Sequence, residues 1–177
     1  MNTKTKNEAL ERLSADGFKS AAKAPLHIVL DNVRSAQNIG SIFRTMDAFR
    51  CVKLHLCGIS ATPPHREINK TALGATETVD WEYYETTMEA INRLKDQNVI
   101  VYAIEQTQNA LMLNNYQPDY SIETAFVLGN EVSGVSQEVI DAAGHSIEIP
   151  QFGSKHSLNI SVCAGIIIWQ ATNGFPY

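Results

Sequence analysis

The chain has 177 residues, 44% hydrophobic and 19% charged, a composition that fits one globular domain and excludes disordered, collagen-like and coiled-coil classes. Three cysteines with no CxxC spacing argue against a disulfide framework or a structural zinc site, so no metal is expected. The net charge is −5, yet residues 1–70 carry eleven Lys and Arg against six Asp and Glu, while residues 71–177 carry three against thirteen, so an acidic chain can still present a basic face.

Residues 7–22 have Ala9, Leu10, Leu13 and Phe18 at near-helical spacing, which predicts an amphipathic helix ended by Pro25. This 1–25 stretch reads as a helical extension before a main domain at 26–177. Residues 26–30 (Leu-His-Ile-Val-Leu) predict a buried strand. Residues 38–49 predict a helix with Ile39, Ile42, Phe43 and Met46 on one face. A strand at 52–56, a loop with Pro63-Pro64, and a short helix at 68–73 stopped by Gly74 follow. Next come a helix at 87–97, a strand at 99–104, an irregular connection at 106–121 and a strand at 124–128. A helix at 136–143, a strand at 147–149 and a last helix at 157–172 complete the chain. Strands alternating with helices predict an α/β fold with a mainly parallel sheet, in which ligands sit beyond the carboxyl ends of the strands. No apolar run is long enough to span a bilayer, and residues 1–23 have no apolar signal-like stretch, so a cytoplasmic protein is expected.

Three strand-to-helix segments fall where chemistry is expected. In 38–44 (Asn-Ile-Gly-Ser-Ile-Phe-Arg), Asn38 can cap a helix, Gly40 permits close backbone approach, and Arg44 lies nearly two turns on. In 129–134 (Gly-Asn-Glu-Val-Ser-Gly), two glycines flank Glu131, but neither a GxGxxG fingerprint nor a Walker lysine is present, which disfavours dinucleotides and nucleoside triphosphates. In 149–159, a strand ends in Pro150, a glycine loop follows, and a helix opens with Ser157-Leu158-Asn159, where Ser157 is a candidate N-cap. Taken singly, each reads as an ordinary turn or cap. There is no HExxH, no His/Cys pair at metal-ligand spacing and no G-x-S-x-G elbow, and Cys163 reads as core.

Together, in this order and spacing, the three segments resemble the three motifs of the SpoU (TrmH-like) RNA ribose 2′-O-methyltransferases of the SPOUT superfamily. The similarity runs over residues 26–171. It implies an α/β-knot with a C-terminal deep trefoil knot, an S-adenosylmethionine cofactor and a homodimer with its active site near the subunit interface. Carried over by position, Ile104, Glu105, Gly129, Ile149, Pro150, Ser157 and Leu158 would line the cofactor site. Asn38, Arg44, Glu131, Ser157 and Asn159 would surround the target ribose as catalytic residues. Arg34, Arg44, Arg66 and Lys70 are the candidate RNA phosphate contacts. A guanidinium stays protonated in proteins, so Arg44 is read as binding a phosphate and stabilising the developing alkoxide. Gln151 departs from the methionine of many relatives. Segments 103–107 and 164–169 resemble the branch that methylates tRNA at guanosine 18. The 23S rRNA and the tRNA wobble ribose are the alternative substrates, and a non-catalytic RNA-binding dimer is the alternative of another class.

Overall fold

A computed structural model of the chain describes residues 2–5, 12–155 and 157–177. Seven strands form one sheet: β1 (Ala24–Asp31), β2 (Cys51–Cys57), β3 (Asp80–Tyr84), β4 (Ile100–Ile104), β5 (Leu111–Met112), β6 (Thr124–Leu128) and β7 (Ser146–Glu148). Their spatial order is β3-β2-β1-β6-β4-β7-β5, and every pairing is parallel. The helices are α1 (Ala15–Ser20), α2 (Ala36–Ala48), α3 (Arg66–Ala72), α4 (Thr87–Asp96), α5 (Gln137–Ala143) and α6 (Ile160–Thr172). The central strands β1 and β6 are mostly apolar and buried almost throughout because both faces of the sheet are covered. Side-chain alternation divides them between two cores. Ile28, Leu30, Leu54, Leu56, Phe126 and Leu128 pack with residues of α2, α3 and α6. Val29, Val101, Ala103, Ala125 and Val127 pack with residues of α4 and α5.

Several sequence expectations shift. The 7–22 helix begins at Ala15, where the Ser14 hydroxyl accepts the Gly17 N–H, and residues 6–11 lie outside the described residues. The β3 edge strand was not foreseen, although residues 79–83 (Val-Asp-Trp-Glu-Tyr) alternate apolar and polar at the strand period. The irregular 106–121 connection contains β5 and a 3-10 turn at Leu113–Asn115. Gly40 serves a different neighbour from the one expected. A side chain there would lie 2.1 Å from the Thr71 hydroxyl and 2.3 Å from the Ile68 carbonyl, so its missing Cβ lets α2 and α3 cross closely rather than admitting a ligand. Ser136 stands at the start of α5 without a side-chain cap bond.

The last third of the chain positions the site. After β6 and α5, β7 inserts between β4 and β5, although β4 and β5 are joined directly by 105–110. The chain leaves β7 and reaches the opposite layer, where α6 packs against α2. The ends of β4, β6 and β7 therefore converge with the start of α6.

Candidate active site

A cleft of about 680 Å³ lies at that convergence, within the usual range of small-molecule sites, about 300–1,000 Å³. Its walls are apolar side chains, among them Leu128, Ile147, Ile149 and Leu158, together with the backbone-rich loops 104–106 and 129–135. Among the described residues three carboxylates line it, Glu105, Glu131 and Glu148, and no lysine or arginine does. That field suits a cationic ligand and repels a phosphate-bearing one. Gly129 lacks a side chain for a visible reason: a Cβ there would sit 2.2 Å from the Gly134 carbonyl carbon. Gly134 adopts φ +67°, and Asn130 and Gly134 exchange backbone hydrogen bonds of 3.1 and 2.9 Å, closing the loop on itself. The Glu105 carboxylate holds that loop from beneath by accepting the Val135 N–H at 3.0 Å.

Beside the cleft, side chains from three elements form a hydrogen-bonded row. Asn159 precedes α6, and its Oδ1 accepts the N–H groups of Ser161 and Val162 at 2.9 and 3.4 Å. Its Nδ2 donates to Asn38 Oδ1 at 3.3 Å. Asn38 Nδ2 faces Glu131 Oε1 at 3.5 Å. Glu131 also accepts the backbone N–H groups of Arg34 and Ser35 at 3.0 and 3.1 Å. Partial burial raises the Glu131 pKa, but these N–H donors and the Asn38 amide outweigh it and hold the carboxyl below its ordinary value. The row is an ionised carboxylate followed by two amides, a set that can hold ribose hydroxyls.

Two caps differ from expectation. Ser35, not Asn38, caps α2, its hydroxyl accepting the Asn38 N–H at 3.2 Å, so the Asn38 amide is left for the row. Asn159, not Ser157, caps α6, because the chain between them is not yet helical.

Of the positions carried over for the cofactor, Ile104, Glu105, Gly129, Ile149, Ser157 and Leu158 line the cleft, whereas Pro150 does not. Glu131 and Asn159 line it as well, and Asn38 joins them through the row. Arg44 stands apart. Six residues along a helix turn it about 120° from Asn38, and it is exposed, outside the cleft lining and without an ion pair among the described residues. Arg34, Arg66 and Lys70 are exposed, with Lys70 4.0 Å from Glu67. Sequence reasoning passed over Asn130, Gln106, Gln151 and Cys163 as lining residues. Cys163, read as core, is half-buried, and burial pushes its thiol up to about 12, so it stays protonated and unreactive beside the cleft. Only its place on the cleft-facing side of α6 reveals this, and a one-dimensional pattern does not carry it. Among the described residues no group of three or more His, Cys, Asp or Glu could hold a metal ion, and no helix is long and apolar enough to cross a membrane.

Fold and site together define an α/β protein with an acidic, apolar-walled cleft beyond the carboxyl ends of a parallel sheet, suited to a cationic small molecule, and an amide–carboxylate row beside it. Residues 25–169 match the model of the SpoU rRNA Methylase family, and the chain belongs to that family. It is 32% identical over 146 residues to the tRNA (guanosine(18)-2′-O)-methyltransferase of Thermus thermophilus, covering 82% of this chain and 73% of that protein. It is 27% identical over 158 residues to the 23S rRNA (guanosine-2′-O-)-methyltransferase RlmB of Neisseria meningitidis, covering 86% of this chain and 60% of that one. Among solved structures, the AdoMet-bound rRNA methyltransferase of Sinorhizobium meliloti superposes with a TM-score of 0.78 at 25% identity, over 94% of this chain and 62% of that one.

Proposed function

We propose that this chain is an S-adenosylmethionine-dependent methyltransferase of RNA ribose 2′-hydroxyls, acting on tRNA at guanosine 18. The observation that carries the reading is the pairing of an acidic cleft, free of lysine and arginine, with the Glu131–Asn38–Asn159 row beside it. The cleft residues fit the cofactor: its carboxylates would offset a sulfonium and an ammonium, its apolar walls would take an adenine, and the tight 129–134 turn would supply backbone donors and acceptors. The chemistry the cofactor supplies when bound is a methyl group on an electrophilic sulfur. Asn38 and Asn159 orient the ribose, and Glu131 fixes Asn38. Ser157, on the same loop, supplies a hydroxyl to the sugar. Arg44 binds a neighbouring phosphate and steadies the oxygen that develops charge as its proton passes to water or phosphate. Arg34, Arg66 and Lys70 extend the phosphate contacts.

The reading includes a homodimer, a knotted path, a cytoplasmic setting and a division into an extension at 1–25 and a catalytic domain at 26–177. Support for the dimer is the exposed apolar stripe Val162, Ile166 and Trp169 on α6. Arg44, absent from its own cleft, is then available to a site shared between subunits. Support for the knot is the insertion of β7 between β4 and β5, two strands joined directly by the 105–110 connection. The tRNA preference rests on the 32% relative, and the 27% relative keeps 23S rRNA as the alternative. Incubation with bulk tRNA and rRNA and methyl-labelled cofactor, followed by mapping of the labelled nucleotide, tests it. Label on the ribose of tRNA guanosine 18 is the expected result. Label confined to 23S rRNA selects the alternative, and no label on any RNA refutes both.

A further inference from the structure

Asn32 follows β1 in the left-handed region, φ +56°, which residues with a side chain rarely occupy. Its side chain is held at both atoms. Oδ1 accepts the Ile59 N–H at 3.2 Å, and Nδ2 donates to Asp31 Oδ1 at 2.8 Å. Asp31 is buried, and the same carboxylate oxygen accepts the Thr87 hydroxyl at 2.5 Å from the first turn of α4. Gly58, itself at φ +61°, packs so closely that a Cβ there would lie 2.1 Å from Asn32 Oδ1. The amide is therefore fixed by β1, by the turn after β2 and, through Asp31, by α4. What this fixing determines is the direction of the Asn32 carbonyl, which accepts Asn130 Nδ2 at 2.8 Å. Asn130 Oδ1 in turn accepts the N–H groups of Val132 and Ser133 at 2.9 and 3.3 Å. Asn130 is thus an internal tie of the 129–134 loop, and Asn32 is an external anchor of it beside Glu105 and the Arg34–Ser35 backbone. The β1–β6 ladder pairs Leu30 with Leu128 as its last register position, so this link lies beyond the sheet and acts on the loop.

We infer that Asn32 is a positioning residue for the cofactor: its left-handed carbonyl orients the Asn130 amide, which shapes the loop wall of the cleft. The inference rests on the reading of the cleft as an S-adenosylmethionine site. Asparagine suits the position because glycine would reach the same φ without the side-chain anchors, and alanine would lose both.

The test is calorimetric titration of S-adenosylmethionine, without RNA, into wild type, Asn32→Ala, Asn32→Gly, Asn130→Ala and the Asn32→Ala/Asn130→Ala double variant, with thermal melts alongside. Asn32→Ala is expected to weaken binding at least tenfold and Asn32→Gly to recover part of that loss. The double variant should bind no more weakly than Asn130→Ala alone, since both act through one hydrogen bond. In turnover, the loss should fall on the cofactor KM, with kcat at saturation changing less than threefold. Cofactor affinity within twofold of wild type in Asn32→Ala, or single-variant losses that multiply in the double variant, would overturn the inference. A lowered melting temperature with unchanged affinity would mark a purely structural residue and overturn it too. Should Asn32→Ala fail to fold, Asn32→Gly decides the matter, a severalfold loss of affinity being required. A wild type that binds no cofactor would remove the reading of the cleft and this inference with it, whereas binding wild type with unaffected variants removes the inference alone.

Discussion

Asn159 joins two functions in one amide. Its oxygen caps α6 and its nitrogen reaches Asn38, so the two can be separated by substitution. Asn159→Asp keeps the cap and loses the donor, and it should leave the melting temperature near wild type while methyl transfer falls by an order of magnitude or more. Asn159→Ala loses both and should additionally cost about 1 kcal/mol of stability, measured by urea unfolding. A second residue-scale case is the buried pair His27–His55. His27 Nδ1 lies 3.0 Å from His55 Nε2, and His27 Nε2 lies 3.2 Å from Glu123. Neutral tautomers satisfy this line if His27 donates to Glu123 and His55 donates to His27. His55 Nδ1 is then a bare lone pair, in keeping with its having no partner among the described residues. Burial pushes His55 down to about 3, and burial also lowers His27, against the Glu123 carboxylate. The unfolded chain therefore takes up protons below about pH 6.5 that the folded chain refuses. Stability is full above that pH and is lost as pH falls toward about 3, by about 2 kcal/mol at pH 5 from His55 alone. Urea unfolding of wild type and His55→Leu at pH 7 and pH 5 checks this, the variant showing the smaller pH dependence.

At the scale of elements, α2 connects core to site. Its inner face, Ile39, Ile42, Phe43 and Met46, is fully buried, and Gly40 lets α3 cross it at backbone distance. Gly40→Ala must push the Ile68 carbonyl and the Thr71 hydroxyl away, an overpacking expected to cost about 1–3 kcal/mol. Because Asn38 sits two residues earlier, the same shift should reduce methyl transfer beyond what the stability loss explains. Urea unfolding and turnover below the transition together check both effects. The helices were legible because apolar residues at helical spacing leave a local signature, as in 36–48. Their caps were misassigned by two or three residues, since Ser35 and Asn38 are both good caps and only the path of the incoming chain selects between them. The β3 strand escaped notice because an edge strand needs only one neighbour and little burial of its own.

At the scale of the molecule, basic residues concentrate in the first 70 positions and acidic ones in the rest, so a protein of net charge −5 carries exposed Arg44 on α2 and Arg66 and Lys70 on α3 while its cleft is acidic. The polyanion and the cationic donor are thereby drawn to different regions of one surface. The α6 stripe is 51%, 37% and 58% exposed at Val162, Ile166 and Trp169, one helical face left uncovered by the described residues. If the proposed dimer forms through this face, wild type is dimeric in light scattering and Ile166→Arg is expected to be monomeric and to lose methyl transfer, with little change in cofactor affinity; a monomeric wild type would remove the proposal. A variant that stays dimeric would show that another face joins the subunits.

Composition, hydrophobic period and the order of three motifs determined the α/β class, the parallel sheet and many of the residues that line the cleft, because each is written in short stretches whose local chemistry is self-sufficient. Which residues meet was decided in three dimensions. The pairing of β1 with β6 brings Glu131 to the backbone of Arg34 and Ser35, and the packing of α6 against α2 brings Asn159 to Asn38, 121 positions away. The fold also places Cys163 on a cleft wall and leaves Arg44 and Pro150 outside the lining. Contacts of that range depend on how strands are ordered in space, and neighbouring residues in a chain carry no record of that order.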